Sequence, residues 1–210
     1  MMRDEVLERA AARYYDAALP YHNFSHALET IRSGAEIVAR CRDDNVSIDE
    51  AVVYYALLFH DAGYHEDHLQ KGFPTKERYS AAIAADVLRS HGVAAGTIDK
   101  VVAAIHATQR DARFVTNEEK AVRAADLAGL AADYGTFRGN TENLKHEYEM
   151  LTGRAIGWGA WITQVREVLD FFLSQDIRLT RYYFDADGGS LFHKRTRSNL
   201  DRLQAETAGL

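Results

Sequence analysis

The segment AVVYYALLF, Ala51 to Phe59, is apolar on every face that a helix would present. A helix of that kind must be surrounded by other helices rather than lie half exposed on a surface. It is therefore expected to be the central element, and everything else in the chain has to be arranged to cover it. The rest of the sequence suits that task, because it contains only 2 prolines in 210 residues and long stretches rich in Ala, Leu, Glu and Arg, which lose little on entering a helix. The expected fold class is all-α, a helical bundle with sheet at most minor. A single domain over 1–210 is expected, with a core over about 20–130 and helices over about 140–205 packed on it.

Local signals set the expected element boundaries. Val6, Leu7, Ala10, Ala11, Tyr14 and Tyr15 keep helical spacing up to a stop near Pro20, where a backbone donor is lost. Asn23 is placed to cap a helix carrying Phe24, Ala27, Leu28, Ile31, Ala35 and Val38. Ser47-Ile48-Asp49-Glu50 has the spacing of a capping box ahead of the central helix, and Thr116-x-x-Glu119 has it again ahead of Val122 and Ala125. Thr75 is expected to cap a helix through Ala81, Ile83 and Val87 that ends at His91-Gly92, and a further helix starts near Thr97. Helices are also expected over Asn143 to Leu151, Trp161 to Leu173 and Leu191 to Leu203. Asp187-Gly188-Gly189-Ser190 reads as a turn able to join two very short strands.

Charge and composition narrow the functional classes. A net charge of -6 and a pI near 5.8 repel phosphodiester backbones, so no extended nucleic-acid binding is expected, while a small phosphorylated substrate stays compatible. Lys194, Arg195 and Arg197 form a local basic group, read either as a phosphate patch or as a solvated face. The single cysteine, Cys41, has neither a disulfide partner nor a zinc-type Cys-x-x-Cys neighbour, which fits a reducing compartment and a spectator role. MMRDEVLERAAARYYDAALP mixes both charges without an apolar centre, and no apolar run reaches about 18 residues, so neither a signal peptide nor a membrane span is expected. A cytoplasmic location with no membrane partner follows as the expectation. Gly153, Gly157 and Gly159 lack the Gly-Lys-Ser/Thr ending of a phosphate-binding loop.

The polar residues that break the pattern carry the functional signal. His60 and Asp61 end the central apolar run, where an unpaired carboxylate or imidazole would cost several kcal/mol or shift its pKa. Compensation must come from helix-end hydrogen bonds, from a salt bridge, or from an ion whose other ligands lie on neighbouring helices. Asp126 lies among small residues in Ala124-Ala125-Asp126-Leu127-Ala128, either paired with an arginine such as Arg123 or serving as a ligand. His26 sits between the apolar stripe and the polar face of its helix, with His22 one turn earlier; His106 reads as mid-helix. His65, Glu66 and His68 fall in the loop after the central helix, where contacts to a substrate are commonly made.

Taken in order, His26, His60-Asp61 and Asp126 resemble the H…HD…D signature of the HD superfamily of metal-dependent phosphohydrolases. The surrounding stretches Tyr21-His22-Asn23-Phe24-Ser25-His26, Leu58-Phe59-His60-Asp61-Ala62-Gly63-Tyr64, Lys76-Glu77-Arg78-Tyr79-Ser80-Ala81 and Ala125-Asp126-Leu127-Ala128 are similar to the subgroup with a YHN-x-x-H start. Glu147-Tyr148, Gly153-Arg154 and Arg197-Ser198-Asn199-Leu200 extend the likeness over nearly the whole chain. The resemblance implies an HD-domain helical bundle with a C-terminal helical extension, in which His26, His60, Asp61 and Asp126 bind a divalent metal. The chain departs from the subgroup after Thr108, where Gln109-Arg110-Asp111 stand in place of a frequent histidine.

Two imidazoles and two carboxylates leave coordination positions for water or a phosphate oxygen, which describes an open site. Such a set accepts one ion of Mn, Fe, Co, Ni or Zn, with Mg possible but not favoured by nitrogen ligands. The expected activity is metal-dependent hydrolysis of a phosphate ester, as a phosphomonoesterase or phosphodiesterase, on a nucleotide or other small phosphorylated metabolite. Asp61 is expected to hold metal and water together, with Glu77 as general base and His22 as a phosphate contact or proton donor to the leaving oxygen. His65 and His106 are further expected substrate contacts. Tyr14, Tyr15, Tyr21, Tyr64 and Phe73 can stack on a base or serve as core and cover. The alternatives are a di-iron oxygenase using His91 and His106 as extra ligands, or a non-catalytic metal-binding module. Oligomeric state is not encoded in any pattern of this sequence.

Overall fold

A helix apolar on all sides needs neighbours on all sides, and the computed structural model, which describes residues 1, 3–175, 177–184 and 189–208, supplies them. The fold is all-α. The helices are α1 (Glu5–Ala11), α2 (Phe24–Asp43), α3 (Glu50–Phe59), α4 (Lys76–Ser90), α5 (Ala95–His106), α6 (Asn117–Asp126), α7 (Tyr134–Thr152), α8 (Trp158–Leu173) and α9 (Leu191–Ala208). Short 3-10 turns follow α1 at Ala12–Tyr14 and α6 at Leu127–Ala131. Among the described residues there is no strand; the expected strand-joining turn falls partly on 185–188, outside them.

The chain divides into two compact units, Met1–Asp126 and Leu127–Leu210. In the first, α3 packs against α1, α2, α4, α5 and α6. Val52, Val53, Ala56, Leu57, Leu58 and Phe59 have no solvent exposure, as the apolar run requires. Gly34 on α2 allows the closest approach: a Cβ there would lie 2.5 Å from Leu57 Cδ1. The Tyr54 hydroxyl, at the edge of this core, donates to Glu8 2.8 Å away, and Glu8 is held in turn by Arg3. Cys41 is buried near the end of α2 and burial pushes its thiol up to about 11, consistent with a spectator.

The second unit closes around Phe137, Ile162, Leu169, Leu200 and Leu203, with Leu130, Tyr134, Trp158 and Val165 packed against them. Asn199 ties α9 to the turn before α7 by donating to the Leu130 and Ala132 carbonyls. Lys194, Arg195 and Arg197 lie on the exposed side of α9.

Most caps lie where the sequence places them. Asn23 accepts from the Ser25 and His26 amides, Thr75 accepts from Arg78, and Thr116 and Glu119 bond reciprocally. Ahead of α3 the cap is Asp49 rather than Ser47, because its carboxylate accepts from Ala51 and Val52. Helix α1 is shorter than the apolar spacing suggests and tightens into a 3-10 turn at Ala12. Helices α7 and α8 begin at Tyr134 and Trp158, earlier than expected, since Asp133 caps the first and glycine in an opening turn costs less than in a helix interior. His106 is the last residue of α5, not mid-helix. No helix among the described residues is long and apolar enough to cross a membrane.

Candidate metal centre

The central helix ends at the site. Helical hydrogen bonding in α3 stops at Phe59, and His60 follows with helical backbone angles, φ -58° and ψ -31°. Asp61 lies in the turn beyond. The Tyr15 hydroxyl donates to the Leu58 carbonyl at 2.9 Å, which occupies one helix-end acceptor, and Ser80 of α4 donates to the Ala62 carbonyl at 2.8 Å. Gly63 closes the turn at φ +76°, and its amide donates to the Tyr14 carbonyl at 2.7 Å. A Cβ on Gly63 would stand 2.6 Å from Tyr79 Cε1, so both backbone angle and space demand glycine here. These contacts hold the His60-Asp61 pair from three directions.

His26 arrives from the first turns of α2 and Asp126 from the last residue of α6. His26 Nε2 is 3.6 Å from Asp61 Oδ2 and 3.8 Å from Asp126 Oδ1. His60 Nε2 is 3.0 Å from Asp61 Oδ2 and 3.5 Å from Asp126 Oδ1. Donor atoms of His26, His60 and Asp126 all lie within 4.8 Å of one another, and Asp61 adjoins both histidines. The alternative pairing for Asp126 is present but secondary: Arg123 Nη1 is 3.9 Å from Asp126 Oδ2. That guanidinium instead donates to the carbonyls of Thr108, Gln109 and Arg110 at 2.6, 3.1 and 3.0 Å, clamping the chain after α5.

Three buried polar atoms at this point have no hydrogen-bond partner: His26 Nε2, His60 Nε2 and Asp61 Oδ2. The last two are 3.0 Å apart yet lack hydrogen-bond alignment. Unsatisfied buried polar atoms are uncommon and costly, and three aimed at one place call for a shared partner. A metal ion fits. Donors held about 2.0–2.2 Å from an ion stand roughly 3.0–3.5 Å apart at tetrahedral or octahedral angles, close to the separations found here. His60 Nδ1 lies 2.9 Å from the Leu57 carbonyl. A carbonyl only accepts, so Nδ1 carries a proton, and it is Nε2 that faces the centre and whose lone pair an ion would take in place of a proton.

Electrostatics agree with a site that holds positive charge. Burial alone favours a neutral Asp61, yet His60, His22 and His26 override it and lower the carboxyl to about 2. Burial acts the same way on Asp126, and the adjoining His26 and His60 imidazoles outweigh it and drive the carboxyl well below the carboxylate range. Burial lowers His60, but Asp61 and Asp126 outweigh it and raise the imidazole well above its ordinary value. The carboxylate side chains keep 16% and 21% exposure, while the His26, His60 and Asp61 atoms that face the centre are themselves buried.

The other expected site residues are more scattered. His22 stacks on Tyr64 with ring centroids 3.8 Å apart and lies edge-on to His26 at 5.8 Å. Glu77 stands in the first turn of α4, and its charge is felt at both His106 and Arg123. Burial and Arg78 lower the His106 pKa, partly opposed by Glu77. His65 is exposed, and His91 turns its Nδ1 to the Val87 carbonyl of its own helix, 2.8 Å away. Tyr15 supports the helix end rather than offering a stacking face, because it is 9% exposed. Sequence reasoning missed the Arg123 clamp, the Ser80 hydroxyl and the placement of Lys76 over Tyr64 at 3.6 Å. Only Arg123 gave a sequence signal, as a charge inside an otherwise small and apolar helix face. No family model matches the chain, and no curated protein matches its sequence.

Proposed function

We propose that this protein is a metal-dependent phosphohydrolase of the HD type, acting on a nucleotide or other small phosphorylated metabolite. The observation that carries the reading is the convergence of His26 Nε2, His60 Nε2 and Asp61 Oδ2, all buried and unpartnered, beside Asp126 Oδ1. His26, His60, Asp61 and Asp126 hold one divalent ion of Mn, Fe, Co, Ni or Zn; two nitrogen donors disfavour Mg. When bound, such an ion supplies Lewis acidity, making water a stronger acid and offsetting charge on a phosphoryl oxygen.

The protein's own residues do the rest. The Leu57 carbonyl keeps the His60 proton on Nδ1, so the imidazole binds as a neutral donor. Asp61 accepts a hydrogen bond from the attacking water and orients it. Glu77 takes the water's proton, from the first turn of α4. His22, fixed by its stack on Tyr64, hydrogen-bonds the phosphoryl group or gives a proton to the departing oxygen. His106 and His65 are the further substrate contacts of this reading.

The test is metal content of protein purified without chelator, for wild type, Asp61→Asn and His26→Ala, followed by a phosphate-ester panel with added Mn. Wild type should carry about one equivalent and release phosphate, and both variants should lose the two properties together while keeping their helical circular dichroism. Folded wild-type protein that takes up no metal on reconstitution sinks the reading.

A further inference from the structure

Tyr15 joins the two helix ends from which three of the four proposed ligands come. It follows the 3-10 turn Ala12–Tyr14 in extended conformation, φ -115° and ψ 135°, and is 9% exposed. Its ring meets that of Phe24 with 5.5 Å between centroids, and Phe24 is the first residue of α2, two before His26. Its hydroxyl donates to the Leu58 carbonyl at 2.9 Å, two residues before His60. The carbonyls that end a helix have no partner within it and, when buried, need one from elsewhere. Next to Tyr15 in the chain, the Tyr14 carbonyl accepts from the Gly63 amide at 2.7 Å. Residues 14 and 15 therefore hold the chain both before and after the His60-Asp61 pair.

A hydroxyl has one proton to give, and a tyrosine keeps it near neutral pH. Burial and the charge of the Asp61 carboxylate hold the Tyr15 hydroxyl well above its ordinary pKa, with the Asp61 main chain opposing in part. The proton goes to the Leu58 carbonyl, and Asp61 Oδ2 is left without a hydrogen-bond partner. The hydroxyl thus feels the Asp61 charge yet leaves that carboxylate oxygen to an ion. Without it, a buried carbonyl two residues before His60 loses its partner, and the turn must shift to satisfy it. We infer that Tyr15 is a positioning residue of the metal centre, its hydroxyl on Leu58 and its ring on Phe24 setting the separation between His26 and the His60-Asp61 pair. The inference rests on the metal reading of the site and adds to it a residue that acts only through the ligands. Groups that orient metal ligands from behind change metal affinity by about 10–100-fold when removed.

The test is calorimetric titration of Mn into chelator-stripped wild type, Tyr15→Phe and Tyr54→Phe, well below their melting temperatures, with the visible absorption of the Co(II)-loaded proteins as a second readout. Tyr15→Phe keeps the ring and loses only the hydroxyl. Tyr54→Phe is the control, because its buried hydroxyl also ties the N-terminal segment to α3, donating to Glu8 at 2.8 Å, but six residues before His60. Both variants should lower the melting temperature of the metal-free protein. Only Tyr15→Phe should weaken Mn, by about tenfold, and move the Co(II) band, a change of ligand geometry that lost stability alone does not produce. Equal Mn affinity in wild type and Tyr15→Phe, or an equal loss in both variants, overturns the inference while leaving the metal reading intact. Weaker Mn with an unmoved Co(II) band also overturns it, because the ligands then stand where they stood. If Tyr15→Phe does not fold, Phe24→Leu decides, since it keeps the hydroxyl and removes the ring partner: weaker Mn supports the inference and unchanged affinity overturns it. Folded wild type that takes up no Mn is the failure of the metal reading, and this inference falls with it.

Discussion

Replacing Arg123 by methionine removes a guanidinium that is 1% exposed and donates to three carbonyls, those of Thr108, Gln109 and Arg110. Each charge-assisted bond is worth about 1.5–3 kcal/mol, but Gln109 is only half-buried and Arg110 is exposed, so water can replace part of what is lost. The Thr108 bond, the shortest at 2.6 Å, and the nearby Asp126 carboxylate at 3.9 Å are the costly losses. Breaking a buried charged arrangement from one side costs about 3–5 kcal/mol, and methionine fills enough of the volume to keep a cavity penalty out of the figure. Urea unfolding of metal-free wild type and Arg123→Met, compared at equal m-values, measures the difference. A loss below about 1 kcal/mol would refute the clamp, because only a solvated guanidinium is worth that little.

Gly63→Ala should destabilise by about 2–5 kcal/mol, adding the strain of a positive φ to overpacking against Tyr79 and Ile83, and should weaken Mn binding by displacing Asp61; unchanged thermal unfolding would contradict it. Metal-free protein should show a stability window set by the site. His60 is raised, so its contribution is present below about pH 6.5 and lost as pH rises through the folded value. Asp61 is lowered to about 2, so its contribution is present above the ordinary aspartate range and lost as pH falls towards that value. The melting-temperature gap between wild type and His60→Asn in chelator should therefore be widest between about pH 4 and 6.5, and a gap independent of pH would exclude the ion pair. With excess Mn the alkaline side should instead be stabilised, since the imidazoles must be deprotonated to bind metal.

The central helix was legible because no exposed surface tolerates AVVYYALLF, and the caps at Asn23, Thr75 and Thr116 were legible because they are local hydrogen-bonding patterns, whereas ahead of the central helix the pattern pointed to Ser47 and the cap is Asp49. His60-Asp61 and Asp126 stood out for the opposite reason: polar residues in apolar or small surroundings need an explanation. The ends of α1, α7 and α8 were less legible, since glycine near a helix start and a 3-10 tightening depend on what the turn packs against.

By itself, the sequence determined helical class, a buried central element and a short set of groups needing compensation, because these follow from composition and spacing along one chain. Only the tertiary structure decided that His26 and Asp126, 100 residues apart in number, meet His60 and Asp61 with donor atoms 3.0–3.8 Å apart. It also decided that Arg123 spends its charge on backbone carbonyls rather than chiefly on Asp126, and that Lys76 rests on the ring stacked against His22. Such contacts depend on which turns of different helices face each other, and periodicity within a helix carries no information about that.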